Sequence, residues 1–241
     1  MTPCLRGLND IQLIMFFRSI DDINAHCHDH GAKLLTLGLD EYRDYVPADG
    51  QRLTVGLHPW DTTDADMYEE FNVLSEAITD PHVVALGEVG IDPLHGAGVA
   101  RQEQLLRYQL RVASEARMPV VFHIVRRYDI LLKLHKELKP VAAWAVHGFR
   151  STPEVVRQLA DAGIFMSVGP KFNVESVRAI PRDLILLETD DLPEKEIRNV
   201  VISVAEARGV RNSVMAELAR TNLCRFLNSG QKSVRGFDIV G

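Results

Sequence analysis

The stretch Asn-Ala-His-Cys-His at residues 24–28 lies near the start of the chain and carries its first candidate metal ligands. Side chains alternate between the two faces of a β-strand. If this stretch is a strand, His26 and His28 point to one face and Cys27 points to the other. Asn24 then lies on the histidine face. Two imidazoles two residues apart can bind one metal ion, and a surface strand with two unligated histidines is the alternative.

Short apolar runs continue along the chain, and amphipathic segments separate most of them. The runs are rich in Val, Ile and Leu, as in strands of a parallel sheet that is covered on both faces. Eight such runs alternating with helical segments predict an α/β fold, a TIM-type (β/α)₈ barrel. The predicted strands comprise residues 23–28, 33–38, 53–58, 83–88, 119–125, 142–147, 164–168 and 184–189.

The helical layer of this barrel is predicted to be incomplete around the first three strands, where helices are shortened or missing. Four residues between the first two strands are too few for a crossover helix. An open doubly wound sheet is the alternative architecture, but no Gly-rich phosphate-binding sequence follows the first strand. The predicted helices comprise residues 67–79, 100–117, 128–138, 153–161, 173–179, 194–208 and 213–227.

The chain of 241 residues contains no internal repeat, low-complexity tract or linker, so one domain is predicted over residues 1–241. Residues 1–20 form an N-terminal extension in this prediction, and the barrel occupies about 23–228. Hydrophobic residues make up 46% of the chain and charged residues 25%, which is ordinary for a globular domain. The three cysteines are far apart and odd in number, which argues against a disulfide framework and favours a reducing compartment.

Charge and hydropathy exclude several classes of function. A net charge of −6 leaves no global basic field of the kind that steers nucleic-acid binding, so a nucleic-acid substrate requires a local basic patch. No apolar run reaches the roughly 18 residues of a membrane span. We therefore predict a cytoplasmic protein with no membrane association and no evident obligate protein partner.

Histidines and carboxylates cluster at the ends of the apolar runs, where the active site of a (β/α)₈ barrel lies. Each one alone has an ordinary explanation, such as a hydrogen-bonded core histidine or an ion pair at the barrel end. Together they are several costly buried polar groups, which a shared metal ion would explain. They comprise five of the nine histidines, His26, His28, His58, His123 and His147, together with Glu88 and Asp190.

Six segments carry a resemblance to the TatD-type metal-dependent hydrolases, a branch of the amidohydrolase-like TIM barrels. The resemblance runs from about Ile23 to Leu227, and the segments occur in the family's order and approximate spacing. The likeness is greatest to compact members with Gly-Leu-His-Pro-Trp-Asp and a later Lys-Phe-Asn, here residues 171–173. The segments are Asn-Ala-His26-Cys-His28, Val-Gly-Leu-His58-Pro-Trp, Ala-Leu-Gly-Glu88-Val-Gly-Ile-Asp92, Pro-Val-Val-Phe-His123, Val-His147-Gly-Phe and Leu-Leu-Glu188-Thr-Asp190.

The resemblance implies a divalent-metal centre, with two ions expected and Mg, Mn and Zn all chemically suitable. By motif, His26, His28 and Asp190 hold one ion, and Asp190 also serves as general base toward the nucleophilic water.

The second ion is held by Glu88, His123 and His147 in this resemblance. Glu88 is the one carboxylate at the middle of the ring, so we expect it to bridge the two ions and act in catalysis.

Substrate-side residues follow from the same comparison. His58 is a candidate for contact with a scissile phosphate or leaving group, or else a rim histidine packed beside Trp60. Arg126 is a candidate phosphate ligand, with an ion pair to Asp129 or Asp92 as the alternative. Lys171 is a candidate to follow a nucleic-acid backbone, or is simply solvated. Trp60 and Phe172 are candidates to stack on bases, but closure of apolar surface is the favoured interpretation of both.

Two residues depart from the family pattern: one is expected to tune metal affinity without abolishing it, and the other to bind a further cation or repel a phosphate. Asn24 replaces the usual Asp, and Asp191 adds a carboxylate beside Asp190. The predicted function is a metal-dependent deoxyribonuclease, 3'-5' exonuclease-like on single-stranded or short DNA. A metal-dependent hydrolase of a small ester, lactone or amide is the second hypothesis, and a non-catalytic metal-binding barrel is the third.

Overall fold

Seven parallel strands form one curved sheet in the computed structural model, which describes residues 19–64 and 66–230. Each strand pairs with the next one along the chain. Most of their side chains are buried, which explains the nearly continuous apolar runs. The predicted TIM-type α/β architecture is confirmed. The strands are β1 Leu34–Gly38, β2 Arg52–Gly56, β3 Val83–Ile91, β4 Val120–Ile124, β5 Trp144–Val146, β6 Phe165–Val168 and β7 Ile185–Leu187.

The closing segment, residues 24–28, lies between β7 and β1 and completes the ring without forming a regular strand. A 3₁₀ turn at Asp21–Ile23 precedes it, and its pairing with the β7 side consists of isolated bridges at Asn24 and Cys27. On the other side, the amide of Thr36 in β1 donates to the Cys27 carbonyl at 2.8 Å. The first predicted strand was therefore wrong in its regularity, because polar side chains with their own partners interrupt the ladder.

β3 continues three residues beyond Glu88, although the sequence analysis placed Glu88 at the strand end. Between Leu86 and Val89, β3 advances three residues while β4 advances two, so the strand carries a bulge where Glu88 lies. Gly87 is required at this bulge, because a Cβ there would lie 2.8 Å from the Cβ of Val121. The bulge takes Glu88 out of the regular pairing between β3 and β4.

Eight α-helices in the described residues surround the sheet. The predicted helices are confirmed within a few residues, and a six-residue helix after β1 was missed. The cover around the first strands is thin, as predicted. The helices are α1 Leu39–Asp44, α2 Met67–Ala77, α3 Val99–Ala116, α4 Tyr128–Leu138, α5 Pro153–Asp161, α6 Val174–Ala179, α7 Ile197–Arg208 and α8 Asn212–Asn228.

Helix α8 covers the region where the ring closes. It packs against β7 and the 3₁₀ turn that precedes the closing segment. Met215, Ala219, Leu223 and Phe226 are buried on it at helical spacing, so one apolar face is turned to the barrel. Most of the predicted N-terminal extension lies outside the described residues. Within the described part of the chain, none of the helices has the length and apolar character needed to cross a bilayer.

Candidate metal centre

The Glu88 carboxylate lies at the centre of five histidines at the carboxyl ends of the strands, and Glu88 is only 5% exposed. Its Oε2 atom faces the two histidines of the closing segment, and its Oε1 atom faces the other three. One carboxylate oxygen therefore serves each half of the cluster. The oxygen–nitrogen distances are 3.1 Å to His26, 3.5 Å to His28, 3.3 Å to His58, 2.8 Å to His123 and 2.5 Å to His147.

Asp190 joins the same cluster from the residues after β7. Its Oδ1 atom lies 3.7 Å from His26 Nε2. The Asp190 backbone has a φ of 58°, in the left-handed region that Asp and Asn enter more readily than most residues. Its amide donates to the His26 carbonyl at 3.2 Å, and its carbonyl accepts from the His28 amide at 3.1 Å. The backbone of the closing segment thus holds Asp190 beside the histidines.

Three of the histidines have a polar group behind the ring, on the side away from Glu88. Thr36 Oγ1 lies 3.0 Å from His26 Nδ1. A carboxylate oxygen of Asp92 lies 3.6 Å from His123 Nε2, and one of Glu188 lies 3.6 Å from His147 Nδ1. The Thr36 hydroxyl is within hydrogen-bond distance and orients the His26 ring, whereas the two carboxylates lie beyond that distance and act on His123 and His147 through their charge.

Charges within the cluster change its protonation. Burial and the neighbouring His147 favour a neutral ring at His26, but Glu88 and Asp190 outweigh them and raise the pKa of His26 to about 9. Burial also opposes ionisation of Glu88, yet His147 and His26 hold its pKa well below its ordinary value. Contact with His26 lowers the pKa of Asp190. Without a metal, the cluster therefore holds anionic carboxylates and protonated histidine.

The raised pKa of His26 predicts how the stability of the metal-free protein depends on pH. Protonated His26 stabilises the fold fully below its unfolded pKa of 6.5, and this contribution is lost as the pH rises toward about 9. At 1.36 kcal/mol per pKa unit, the part of this loss due to His26 is about 3 kcal/mol at most. Carboxylates are ionised in both states over this range, so they do not offset it. Urea unfolding in EDTA at both pH values measures the change.

His26→Gln should reduce this pH dependence but not abolish it, because Glu88 and Glu188 also raise the pKa of His147 against the effect of burial. His30→Gln, at an exposed histidine, should leave it unchanged. Stability that stays level or rises between pH 6.5 and 9 in the unsubstituted, metal-free protein would contradict the protonation of His26.

The cluster fits a divalent metal ion on two structural grounds. The Nε2 atom of His26 is buried and lies 3.1 Å from Glu88 Oε2, but the contact lacks hydrogen-bond geometry and leaves this atom unsatisfied in the described structure. The donors are imidazole nitrogens and carboxylate oxygens, which suit divalent ions. Ligand atoms within 4.8 Å of one another occur in four groups: His26–His28–Glu88, His26–His147–Asp190, His58–Glu88–His123 and His28–Asp190–Asp191.

His58 differs from the other histidines because its Nδ1 atom accepts a hydrogen bond from the Trp60 amide at 3.3 Å. In a neutral imidazole only one nitrogen carries a proton, so this contact places the proton on Nε2. Nε2 lies 3.3 Å from Glu88 Oε1. His58 therefore presents a donor, and not a lone pair, to the centre.

The centre opens into a cavity of about 1100 Å³, which two arginines, Arg126 and Arg150, also line. Arg126 forms no ion pair with any described residue, and Asp129, its predicted alternative partner, is paired with Arg127 instead. Lys171 lines a smaller adjoining cavity of about 240 Å³, together with Arg150. Cationic side chains thus line both cavities.

The two aromatic residues considered for stacking have different environments. Trp60 is 50% exposed and lines the main cavity, so its assignment to apolar closure was wrong. Phe172 is half-buried and packs against the core, as closure requires.

A family model described as TatD related DNase matches residues 40–228. The chain belongs to the TatD-related DNase family. The uncharacterized metal-dependent hydrolase YabD of Bacillus subtilis is 28% identical over 162 residues, which are 63% of this chain and 60% of that protein. The 3'-5' ssDNA/RNA exonuclease TatD of Citrobacter koseri is 29% identical over 148 residues, 57% of this chain and 56% of that protein. The chain thus spans less than two thirds of each relative's length.

The crystal structure of YJJV, a TatD homolog from Escherichia coli K12, superimposes with a TM-score of 0.73 and 22% identity. The match covers 87% of this chain and 98% of that one. At this identity the likeness shows the fold, and it confirms the TIM-type barrel of this TatD-family chain.

Asn24, which departs from the TatD-family pattern, lies behind the centre. Its Nδ2 atom donates to Thr189 Oγ1 at 2.7 Å, and its Oδ1 atom accepts from the Thr189 amide at 3.0 Å. Thr189 also donates to Cys27 Sγ at 3.2 Å. Asn24 and Cys27 therefore share a partner, and the predicted alternation that placed Asn24 with the histidines was wrong. Cys27 Sγ is turned to Thr189, in keeping with its predicted placement on the face opposite His26 and His28.

Asn24→Leu is expected to lower the free energy of unfolding by about 1–3 kcal/mol, because it leaves the buried Thr189 amide without its acceptor. Urea unfolding measures the difference. Asn72→Leu makes the same change at an exposed position and should cost much less. Equal effects of the two substitutions would remove the Asn24–Thr189 contact from the list of stabilising interactions.

Three groups without a predicted role lie beside the cluster or line its cavity. Asp92 and Glu188 lie within two of the quoted segments, close to Glu88 and Asp190, and this proximity was the available signal. Arg150 directly follows the quoted segment that contains His147, and it stands three residues after that histidine, as Arg126 does after His123. Every predicted ligand lies in the cluster, whereas Lys171 lies in the adjoining cavity.

Proposed function

We propose that this chain is a divalent-metal-dependent phosphodiesterase that acts on DNA and releases nucleotides from the 3' end of single strands. The observation that supports this most is the placement of Glu88, between five histidines, in a cavity that Arg126 and Arg150 also line. Metal ligands and cations in one cavity suit a phosphodiester, which needs both activation of water and neutralisation of charge. The 3'-5' ssDNA/RNA exonuclease of Citrobacter koseri, a TatD-family relative, supports the same substrate.

The ligands would divide between two ions. His26, His28 and Asp190 would hold one ion, and Glu88 would complete both sites. Divalent ions of the Mg, Mn or Zn type would lower the pKa of a water and offset negative charge on the phosphoryl oxygens.

The other ion would be held by His123 and His147 beside Glu88. The carboxylates of Asp92 and Glu188 would favour this placement of the two rings through their charge, since each lies 3.6 Å from the outer nitrogen of its ring.

Asp190 is the proposed general base. Its carboxylate lies at the edge of the cluster, and its side chain is 30% exposed, so water and substrate have access to it. Contact with His26 lowers its pKa, which keeps it ionised and able to accept a proton near neutral pH.

His58, Arg126 and Lys171 are the proposed substrate contacts. His58 would donate its Nε2 proton in a hydrogen bond to a phosphate oxygen, since its other nitrogen is already bonded to the Trp60 amide. The Arg126 guanidinium would pair with a phosphate. Lys171 would contact the strand farther along its backbone, from the adjoining cavity. A net charge of −6 gives weak long-range attraction for duplex DNA, so single-stranded or short ends fit this surface better.

A metal-dependent hydrolase of a small ester, lactone or amide is the second candidate function. A deep pocket without cations at its mouth would favour it. Arg126 and Arg150 line the cavity instead, and this favours an anionic substrate. A non-catalytic barrel would not need the exposed carboxylate of Asp190 beside the cluster.

Release of nucleotides from a short single-stranded DNA, with the 5' end labelled, tests the proposal. The purified protein is incubated with Mg, Mn or Zn, and with EDTA as the control. We expect shortening from the 3' end that requires metal. No release by folded protein shown to contain metal would exclude DNA as the substrate, and hydrolysis of small esters or lactones under those conditions would support the second candidate.

A further inference from the structure

Trp60 is held in a fixed position at the edge of the main cavity. Its Nε1 atom donates to Asp92 Oδ2 at 2.6 Å, and Asp92 is 1% exposed. His95 Nδ1 lies 2.8 Å from the same carboxylate oxygen, and the His95 ring lies 4.8 Å from the Trp60 ring at 45°. One buried carboxylate therefore anchors the indole, and a neighbouring imidazole supports it.

Half of the Trp60 surface stays in contact with solvent despite this anchoring. Burial of an aromatic ring is its main contribution to folding, and Trp60 forgoes much of that contribution. Its indole N–H is already satisfied by Asp92, so the exposed part of the residue offers an apolar π surface and no donor. A rigid, exposed aromatic surface in a cavity is the arrangement by which proteins bind flat ligands at little conformational cost.

The position of Trp60 beside the cluster indicates the chemical class of the flat ligand. Its ring centroid lies 5.1 Å from that of His58 and 5.9 Å from that of His123, both next to Glu88. Arg126 lines the same cavity without an ion-pair partner among the described residues. A molecule that fills this space needs an anionic group near the cluster and a planar group a few ångströms away. A nucleotide has both.

We propose that Trp60 is the stacking platform for the nucleobase attached to the phosphate at the metal centre. The proposal rests on the proposed phosphodiesterase function for its biological meaning, but not for its test. Stacking on an aromatic side chain tolerates any base. The platform should therefore favour a nucleotide with a base over one without it, but should not distinguish one base from another. Removal of the base is expected to weaken binding by about 5- to 150-fold.

Tryptophan fluorescence provides a direct measurement of binding. The chain has two tryptophans, and Trp144 is 3% exposed, so quenching by a ligand in the cavity reports on Trp60. The metal-loaded protein is titrated with dAMP, dTMP and, as the base-free control, deoxyribose 5-phosphate. We expect both nucleotides to quench and the sugar phosphate not to quench. Trp60→Phe should abolish the quenching, and Tyr68→Leu, which removes an exposed aromatic ring outside the cavity, should preserve it.

Kinetics with oligonucleotides give the second measurement. Two single-stranded DNAs are compared, one complete and one with an abasic residue at the 3' end. The unsubstituted protein should prefer the complete strand by about 5- to 150-fold, and Trp60→Leu should reduce this preference to near unity. Trp60→Phe, which keeps an aromatic face, should retain part of it.

Three results distinguish the possibilities. If nucleotides and sugar phosphate quench equally, or if Trp60→Leu slows both strands by the same factor, the platform is wrong and Trp60 is structural. If nucleotides quench but no strand is hydrolysed with any metal, the platform stands and the proposed nuclease function fails.

Discussion

Asp190→Asn is expected to reduce metal-dependent nucleotide release by about 10²–10⁴-fold, the range typical for loss of a general base. The substitution removes the negative charge of the side chain and keeps nearly the same side-chain shape. Asn, like Asp, tolerates the left-handed backbone conformation that Asp190 adopts with a φ of 58°, so the loop should be retained. The backbone hydrogen bonds to the closing segment are also unaffected. Initial rates with a labelled single strand, at saturating metal, measure the effect.

Asp161→Asn is the matched control, because it makes the same chemical change at an exposed position at the end of α5. It should leave the rate unchanged. Circular dichroism and metal content of the Asp190→Asn protein show whether its fold and its ions are retained. A rate within a few-fold of the unsubstituted protein, with metal present, would remove Asp190 from the role of base.

Glu88→Gln is expected to lower bound metal and reduce hydrolysis by about 10³-fold. Both carboxylate oxygens face histidines, and a neutral amide offers one weaker acceptor in place of two anionic ones. Since bound ions contribute several kcal/mol to catalysis and 1.36 kcal/mol is tenfold, loss of the shared ligand should have a large effect. Metal per chain after dialysis and the rise in Tm on adding Zn measure it, and both should decrease.

The same variant changes the metal-free protein in a way that can be checked separately. Glu88 is a main cause of the raised pKa of His26, so its neutralisation should weaken the pH dependence of stability between pH 6.5 and 9. Glu115→Gln, on the surface of α3, serves as the control for both measurements. Unchanged metal content together with unchanged pH dependence would show that Glu88 is not at the centre of the site.

Much of the fold follows from the periodicity of the sequence. Runs such as residues 83–88 and 184–189 are apolar on both faces, which in a soluble chain requires strands that are covered on both sides. Parallel strands bring their carboxyl ends to one edge, and this places His123, His147 and Asp190 together. The candidate ligands could therefore be predicted from positions in the runs, supported by the resemblance to the TatD-type hydrolases.

What the sequence did not predict depends on contacts between distant segments. The closing segment lacks a regular ladder because the Asn24 side chain bonds to Thr189, 165 positions along the chain. The bulge at Glu88 depends on the register between β3 and β4, which no periodicity reports. Trp60 is exposed while its indole N–H donates to the buried carboxylate of Asp92, 32 positions along the chain. Local patterns contain none of this information.

The closing segment has a thermodynamic consequence. It provides His26 and His28, and it is the one join of the ring, within the described chain, that is made by isolated bridges and not by a ladder between strands. Opening this join and separating the ligands are the same motion. Metal binding at the centre and closure of the barrel are thus linked equilibria. If opening the ring lowers the affinity for the ion by some factor, the bound ion lowers the equilibrium constant for opening by the same factor.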